Sequence, residues 1–320
     1  MTRVALALGS GGPRGYAHIG AVRAIEEREC TIVAVAGTSM GALVGGLMAA
    51  GRVEDFARWA TALTRRDVLG LLDPSITSHG MITANRLIDA LADIITDEAI
   101  EDLGVPFTAV ATDLAARREV WFQRGPLRAA VRASIAIPGF FTPVMLNGRL
   151  LVDGGLINPV PLEPMAAVPC DLTVAVSLTG PRQGREHTTP RRESAAPQRL
   201  EEWRERWHRT VATLTGREER DVADGEAERL ADVEAGTGWG TERLPTDLGL
   251  VDLTAQSFEA MQDLVGRYRM AALPADVLVT VPVDACGSMD FHRAAEMIAL
   301  GHRLTSDALD RAGVGLRRPV

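Results

Sequence analysis

Thr31-Ile32-Val33-Ala34-Val35-Ala36-Gly37-Thr38-Ser39-Met40-Gly41-Ala42 lies inside a run from Cys30 to Gly51 that carries no charged residue. How this run is read decides the fold. Its length and hydropathy would admit a membrane-spanning helix, but the order of its residue types argues otherwise. Residues 31–36 are rich in β-branched side chains, which are stiff at χ1 and suit a pleated strand. Gly37-Thr38-Ser39 breaks the run, and 40–50 is a helix of small and aliphatic residues. A strand, a tight turn and a helix, buried on both sides by the rest of a globular chain, produce the same hydropathy. The run is therefore read as the interior of an α/β protein.

The same unit recurs on either side. Residues 4–8 form an apolar strand, the cluster Gly9-Ser10-Gly11-Gly12-Pro13-Arg14-Gly15 follows, and a helix is expected over 14–29. Its apolar positions Ala17, Ala21, Val22 and Ile25 fall at i, i+4, i+5 and i+8, which is one buried face. Strands are expected over 106–111 and 119–122, a helix over 126–134, a hairpin over 145–152 around Asn147-Gly148, and a strand over 172–177. Past the segment 180–250 come a helix over 253–273, a strand over 277–281 and a helix over 291–312. No internal repeat is visible. Strands alternating with helices predict a three-layer α/β/α fold with a central, mostly parallel sheet and the site at the strands' C-terminal ends. The chain 1–320 is read as a single domain in which 180–250 is a charged, partly flexible insertion. One amphipathic helix is expected there, along Leu200, Trp203, Trp207, Val211 and Leu214. It either packs on the core or, with two Trp beside several Arg, acts as a lid or membrane-docking helix. The acidic stretch 218–234 reads as a solvated linker.

Composition narrows the function classes. The chain has 320 residues, 46% of them hydrophobic, enough for a substantial core. A net charge of −8 and a pI near 5.4 speak against nucleic acid or strongly anionic lipid as a partner. Cys30, Cys170 and Cys286 are odd in number and scattered. That fits a reducing compartment and a packing role rather than disulfides or a metal site. The first residues lack a signal-peptide pattern, so a cytoplasmic protein is expected. No carboxylate loop with calcium-binding spacing is evident.

Gly37-Thr38-Ser39-Met40-Gly41 has the form of a nucleophile elbow. The turn forces unusual backbone angles, Gly37 and Gly41 leave room, and the serine oxygen stands at the end of the strand. The N-terminus of the next helix favours a developing oxyanion. The loop Gly9–Gly15 has two rival readings. As a dinucleotide loop it fails, because Arg14 stands where G-x-G-x-x-G requires glycine, and it has no lysine for a phosphate-binding P-loop. As an oxyanion hole it offers the N–H groups of Gly11, Gly12 and Arg14, the last also supplying a charge, while Pro13 has no N–H. A serine needs a base. None of His18, His79, His187, His208, His292 and His302 sits in an obvious strand-end loop after an acid, and a triad through His292 is the weaker alternative. Asp153, in Leu151-Val152-Asp153-Gly154-Gly155, is the better candidate, although Asp-Gly-Gly by itself reads as a turn. Asp113 ends a strand near the same sheet edge and reads as structural.

Taken in order, the G-G-x-R-G loop, the Gly37–Gly41 elbow, Ala133-Ser134 with Pro138, Phe141 and Pro143, and Asp153-Gly154-Gly155 resemble the signature of patatin-like phospholipases. The resemblance covers about 1–180 and resumes more weakly around Met289–Ala294 and Gly301. It implies a Ser–Asp dyad without histidine. Ser39 would be the nucleophile and Asp153 the base. Gly11, Gly12 and Arg14 would form the oxyanion hole, with Gly15, Gly37, Met40, Gly41, Gly154 and Gly155 in support. It further implies a hydrolase of phospholipids, lysophospholipids or simple esters that needs no metal or organic cofactor. The expected partners are a lipid or ester substrate and, transiently, the inner membrane face; a homo-oligomer is left open. Acyl transfer to an acceptor other than water, a non-catalytic scaffold and a nucleotide-binding oxidoreductase are the rivals.

Overall fold

The computed structural model describes residues 1–71, 85–91, 93–95, 97–138, 140–182 and 250–315. The chain divides into two units, Met1–Gly184 with Thr254–Val320, and Arg185–Leu253. Apart from 250–253, the described residues belong to the first. The amphipathic helix expected along Leu200 to Leu214 and the acidic stretch 218–234 lie outside the described residues.

The strands are β1 (Arg3–Leu8), β2 (Thr31–Thr38), β3 (Phe107–Asp113), β4 (Arg118–Phe122), β5 (Val144–Leu146), β6 (Arg149–Asp153), β7 (Leu172–Gly180) and β8 (Val277–Pro282). They form one sheet whose bonded neighbours run β5-β6-β3-β2-β1-β7-β8, with β4 also on β3. The pairs β3–β2–β1–β7–β8 are parallel, and β4, β6 and β5 add antiparallel ladders at the β3 end of the sheet. Asn147 (φ 50°) and Gly148 (φ 73°) make the expected tight turn between β5 and β6.

The helices are α1 (Ala17–Glu26), α2 (Met40–Ala49), α3 (Val53–Ala62), α4 (Arg65–Leu71), α5 (Asn85–Ala90), α6 (Leu127–Ser134), α7 (Leu250–Ala272) and α8 (Ala294–Arg311). The helix expected over 14–29 starts later than predicted. Gly12–Tyr16 is a tighter 3-10 turn with Pro13 in its first positions, and the α-helix begins only at Ala17. The sequence reading assigned nothing between Gly51 and Pro106, where α3, α4 and α5 lie.

Strand β1 shows how the two faces differ. Val4, Leu6 and Leu8 point into the main core with Ile19, Val22 and Ile25 of α1, Leu43 and Leu47 of α2, and Met297 and Ile298 of α8. The alternate residues are small. Ala5, Ala34 and Ala36 pack on Met165, while Ala7 and Ala175 pack on Val160 and Leu162, with Met270 behind them. Alanines on this face let the segment after Asp153 and the end of α7 come close to the sheet. On the other face α1 and α8 touch backbone to backbone: a Cβ on Gly20 would strike the Ile298 carbonyl, and one on Gly301 that of Ala17. Among the described residues no helix is long and apolar enough to cross a membrane.

Candidate functional site

Ser39 follows the last residue of β2 and caps α2 with φ 57° and ψ −122°, a backbone region rare for a side-chain-bearing residue. Such a conformation costs on the order of 1–3 kcal/mol and persists only where neighbours impose it. Here they do. A Cβ on Gly37 would collide with the Gly41 carbonyl, and one on Gly41 with that of Leu8, so strand and helix meet at a distance only glycine permits. The Ser39 N–H donates to Ser134 Oγ at 2.9 Å, and that hydroxyl donates to the Val110 carbonyl at 2.6 Å. Thr38 Oγ1 donates to the Asn158 carbonyl at 2.9 Å. Met40 is the first residue of α2, so its N–H is one of the four without an acceptor inside the helix.

Strand register explains how Asp153 reaches this point. Ala109 and Val110 pair with β2 on one edge of β3 and with β4 on the other. Ala111 to Asp113 keep β4 but pair on their second edge with β6, Ala111 facing Asp153. So β2 and β6 occupy the same lane and run toward each other, β2 ending opposite Val110 and β6 opposite Ala111. Ser39 and Asp153 thus both stand at strand C-termini, with β6 arriving from the opposite direction. Gly154 sits at the junction, where a Cβ would strike the Val110 carbonyl and press within 3.0 Å of Thr38 Cγ2.

Asp153 is fully buried. Its Oδ1 accepts from the Gly155 N–H at 2.7 Å, while Oδ2 has no hydrogen bond of ordinary geometry. Burial pushes its carboxyl up to about 7, partly offset by the nearby Ser39 hydroxyl and the Gly155 N–H. A group with that pKa can accept a proton near neutrality, which an ordinary carboxylate does poorly.

The glycine loop is tied to the sheet by Gly9 N–H on the Val176 carbonyl (2.9 Å) and Ser10 N–H on that of Pro159 (2.8 Å). Gly12 has φ 55°, and Gly15 lies against Met40 with no room for a side chain. Gly155 is packed equally tightly against Ser10 and Gln262. One expectation needs correcting. The Arg14 side chain is not a free charge for the site. Its Nε donates to the Gly11 carbonyl (3.2 Å), Nη1 to that of Val283 (2.6 Å), and Nη2 pairs with Glu259 (2.7 Å). All of its edges are used inside the protein, so only its backbone N–H remains as a candidate donor.

The described histidines have partners elsewhere. His18 Nε2 bonds the Gly9 carbonyl at 2.8 Å, and burial lowers its pKa to about 4, so it is a neutral donor bracing the loop. His292 accepts from Arg65 Nε at 3.0 Å, and His302 pairs with Glu27. Asp113 caps its own turn by accepting from the Ala116 N–H at 3.0 Å, in keeping with a structural reading. Among the described residues no group of three or more His, Cys, Asp or Glu could hold a metal ion.

Several participants went unassigned at the sequence level. Ser134 was visible only as part of a motif, yet it joins Ser39 to β3. Asn158 donates to Glu119 (2.7 Å) and Glu163 (3.0 Å), and Arg269 of α7 binds the same two carboxylates and the Ile157 carbonyl, a network that fixes the segment after Asp153. Nothing in residue type or spacing marks these positions in a lone sequence. Ser39 opens into a groove of about 590 Å³, mouth included, lined by Gly12, Tyr16, Met40, Leu43, Trp59, Leu63, Val68, Leu71, Ile135, Ile137, Phe141 and Phe291. Apart from Ser39 itself its side chains are aliphatic or aromatic, so it suits a hydrocarbon chain rather than a sugar or nucleotide.

A family model described as patatin-like phospholipase matches residues 6–166. The chain belongs to this family. An uncharacterized NTE family protein of Mycobacterium tuberculosis (strain ATCC 25618 / H37Rv) is 45% identical over 96% of this chain and 91% of its own length. Patatin-like phospholipase domain-containing protein 6 of Homo sapiens is 35% identical over 55% of this chain and 13% of its own. The crystal structure of VipD from Legionella pneumophila aligns with a TM-score of 0.44 and 13% identity, over 97% of this chain and 67% of that one. Family membership makes the protein a lipid acyl hydrolase in general terms.

Proposed function

We propose that the protein hydrolyses acyl esters of phospholipids, lysophospholipids or simple alcohols through a Ser39–Asp153 dyad and an acyl-enzyme. The observation that carries the reading is the head-on approach of β2 and β6, which brings a strained serine and a fully buried carboxyl of raised pKa to the same position in the sheet. Ser39 Oγ attacks the ester carbonyl carbon as its proton passes to Asp153, and the carbonyl oxygen becomes an oxyanion. The Gly11, Gly12 and Arg14 N–H groups stabilise that charge, aided by the N-terminus of α2. When the intermediate collapses, the departing alcohol takes the proton from Asp153. Water then attacks the acyl-enzyme with Asp153 again as base, releasing the acid and restoring Ser39. None of these steps calls for a metal or cofactor.

The apolar groove supports a fatty acyl chain as the group held beside Ser39. The same reading has the protein visit a membrane face transiently, taking lipid through the groove mouth. Labelling by a fluorophosphonate probe tests the chemistry. Wild type should label and cleave a short ester, Ser39→Ala should do neither, and Asp153→Asn should lose turnover. A folded wild type that stays unlabelled would sink the proposal.

A further inference from the structure

We infer that Glu259 is a positioning residue for the oxyanion loop, acting through Arg14; the inference rests on the hydrolase reading above. The Arg14 side chain is only 7% exposed and meets three parts of the protein, the loop at Gly11, the chain leaving β8 at Val283, and α7 at Glu259. A guanidinium is a rigid planar fork, so holding two of its edges aims the third. The third grips the Gly11 carbonyl. In a planar trans peptide the N–H lies opposite the carbonyl, so this grip turns the Gly12 N–H away from the guanidinium. Gly12 lines the groove that Ser39 opens into. It sits at φ 55° with open space where a Cβ would be, and has no side chain to hold it. The orientation of this donor therefore depends on what holds Gly11.

Glu259 supplies the counter-charge that keeps Arg14 in place. Its side chain is 32% exposed, on a helix that grips the same region at two further points. Gln262, one turn on, donates to Ser10 Oγ at 3.3 Å, and Arg269 holds the Ile157 carbonyl beyond Asp153. Removing the carboxylate leaves a buried cation short of a partner, an arrangement that a structure relieves by moving the cation toward water. The Gly11 peptide would follow it, and the donor set would lose its aim without any change in Ser39 or Asp153.

The test is steady-state hydrolysis of a short soluble ester, with active sites counted by end-point fluorophosphonate labelling so that misfolded protein does not enter kcat. For Glu259→Ala the expected kcat per labelled site falls roughly 10- to 100-fold, below the ~100- to 1,000-fold typical of deleting an oxyanion donor outright. KM should stay within about twofold, because the interaction is realised in the transition state. The acid limb of the pH profile should not move. Glu259→Gln, which keeps an oxygen for Arg14 Nη2 but not the counter-charge, should fall between Glu259→Ala and wild type. If Glu259→Ala is insoluble, Glu259→Asp carries the test, its carboxylate falling one methylene short: lower kcat at unchanged KM supports the inference. Wild-type kcat per labelled site in the soluble variant, or a raised KM with kcat unchanged, would overturn it. A wild type that neither labels nor turns over would remove the hydrolase reading itself, a distinct result.

Discussion

A carboxyl sealed from water, with one oxygen held by a backbone N–H and only a serine hydroxyl nearby besides, is costly to ionise, and at Asp153 that cost carries two consequences of opposite sign. If Asp153 is the base, as proposed, it must be deprotonated to act, so kcat/KM on a short ester should fall by about tenfold per pH unit below about 7 and level off above it. A profile flat down to pH 5 would assign the base elsewhere. For stability the folded-state pKa is raised above the unfolded value, so the group's stabilising contribution is full below pH 3.8 and is lost as pH rises to about 7. Asp153→Asn, which keeps the Oδ1 acceptor for Gly155, should therefore be inactive yet more stable than wild type at pH 8. The difference in denaturation midpoint should shrink steadily toward pH 4. Ser39 stands out in the sequence by its elbow, whereas Asp-Gly-Gly alone reads as a turn and Asp153 is singled out as a base only through the ordered set of motifs. The raised pKa was legible only as a requirement, since burial is a property of everything packed around the residue.

At the level of elements, the strained serine is held by α6 as much as by its own turn. Ser134→Ala removes the hydroxyl that accepts from Ser39 and donates to Val110, leaving both backbone groups unsatisfied. The expected loss is about 1–3 kcal/mol in chemical denaturation, with kcat reduced more than KM is raised. Equal effects of Ser134→Ala and an exposed control such as Thr61→Ala would show that α6 does not brace the elbow. Gly154→Ala introduces a methyl at the Val110 carbonyl and should cost both stability and activity. The β5–β6 hairpin was readable from Asn147-Gly148, but its destination was not. Register is set by pairing with β3, some forty residues distant in the chain and carrying no mark of which edge would be free. The helices between Gly51 and Pro106 were missed for a related reason. In α3 only Phe56, Ala57 and Ala60 are buried, so the apolar signal is short.

For the whole molecule, the groove should govern substrate choice. Each methylene moved from water into an apolar wall is worth about 0.8 kcal/mol, or roughly fourfold in kcat/KM. Soluble esters of increasing acyl length should therefore gain by about that factor per carbon until the groove is filled. Trp59 is stacked on Phe56 with ring centroids 5.8 Å apart and forms part of the wall. Trp59→Ala should lose more on a long acyl ester than on an acetyl ester; a uniform loss would mean that the chain lies elsewhere. The three-layer architecture was legible from the alternation of strand and helix, whereas the groove was not. Its lining comes from the glycine loop, the elbow helix, α3, α4, the chain after α6 and Phe291, segments whose convergence only the folded sheet brings about.

The shared lane of β2 and β6 also bears on when the protein becomes active. Ser39 is made early in synthesis, but no nascent chain shorter than Asp153 contains both partners, and no folding intermediate with β3 unpaired can join them. Refolded protein should regain helical signal before it regains ester turnover, and the lag should lengthen in variants that weaken β3–β6 pairing. On the hydrolase reading, attack on lipid then waits for the β2–β3 and β3–β6 pairings that bring Ser39 and Asp153 together, and the assembled sheet acts as a safety catch.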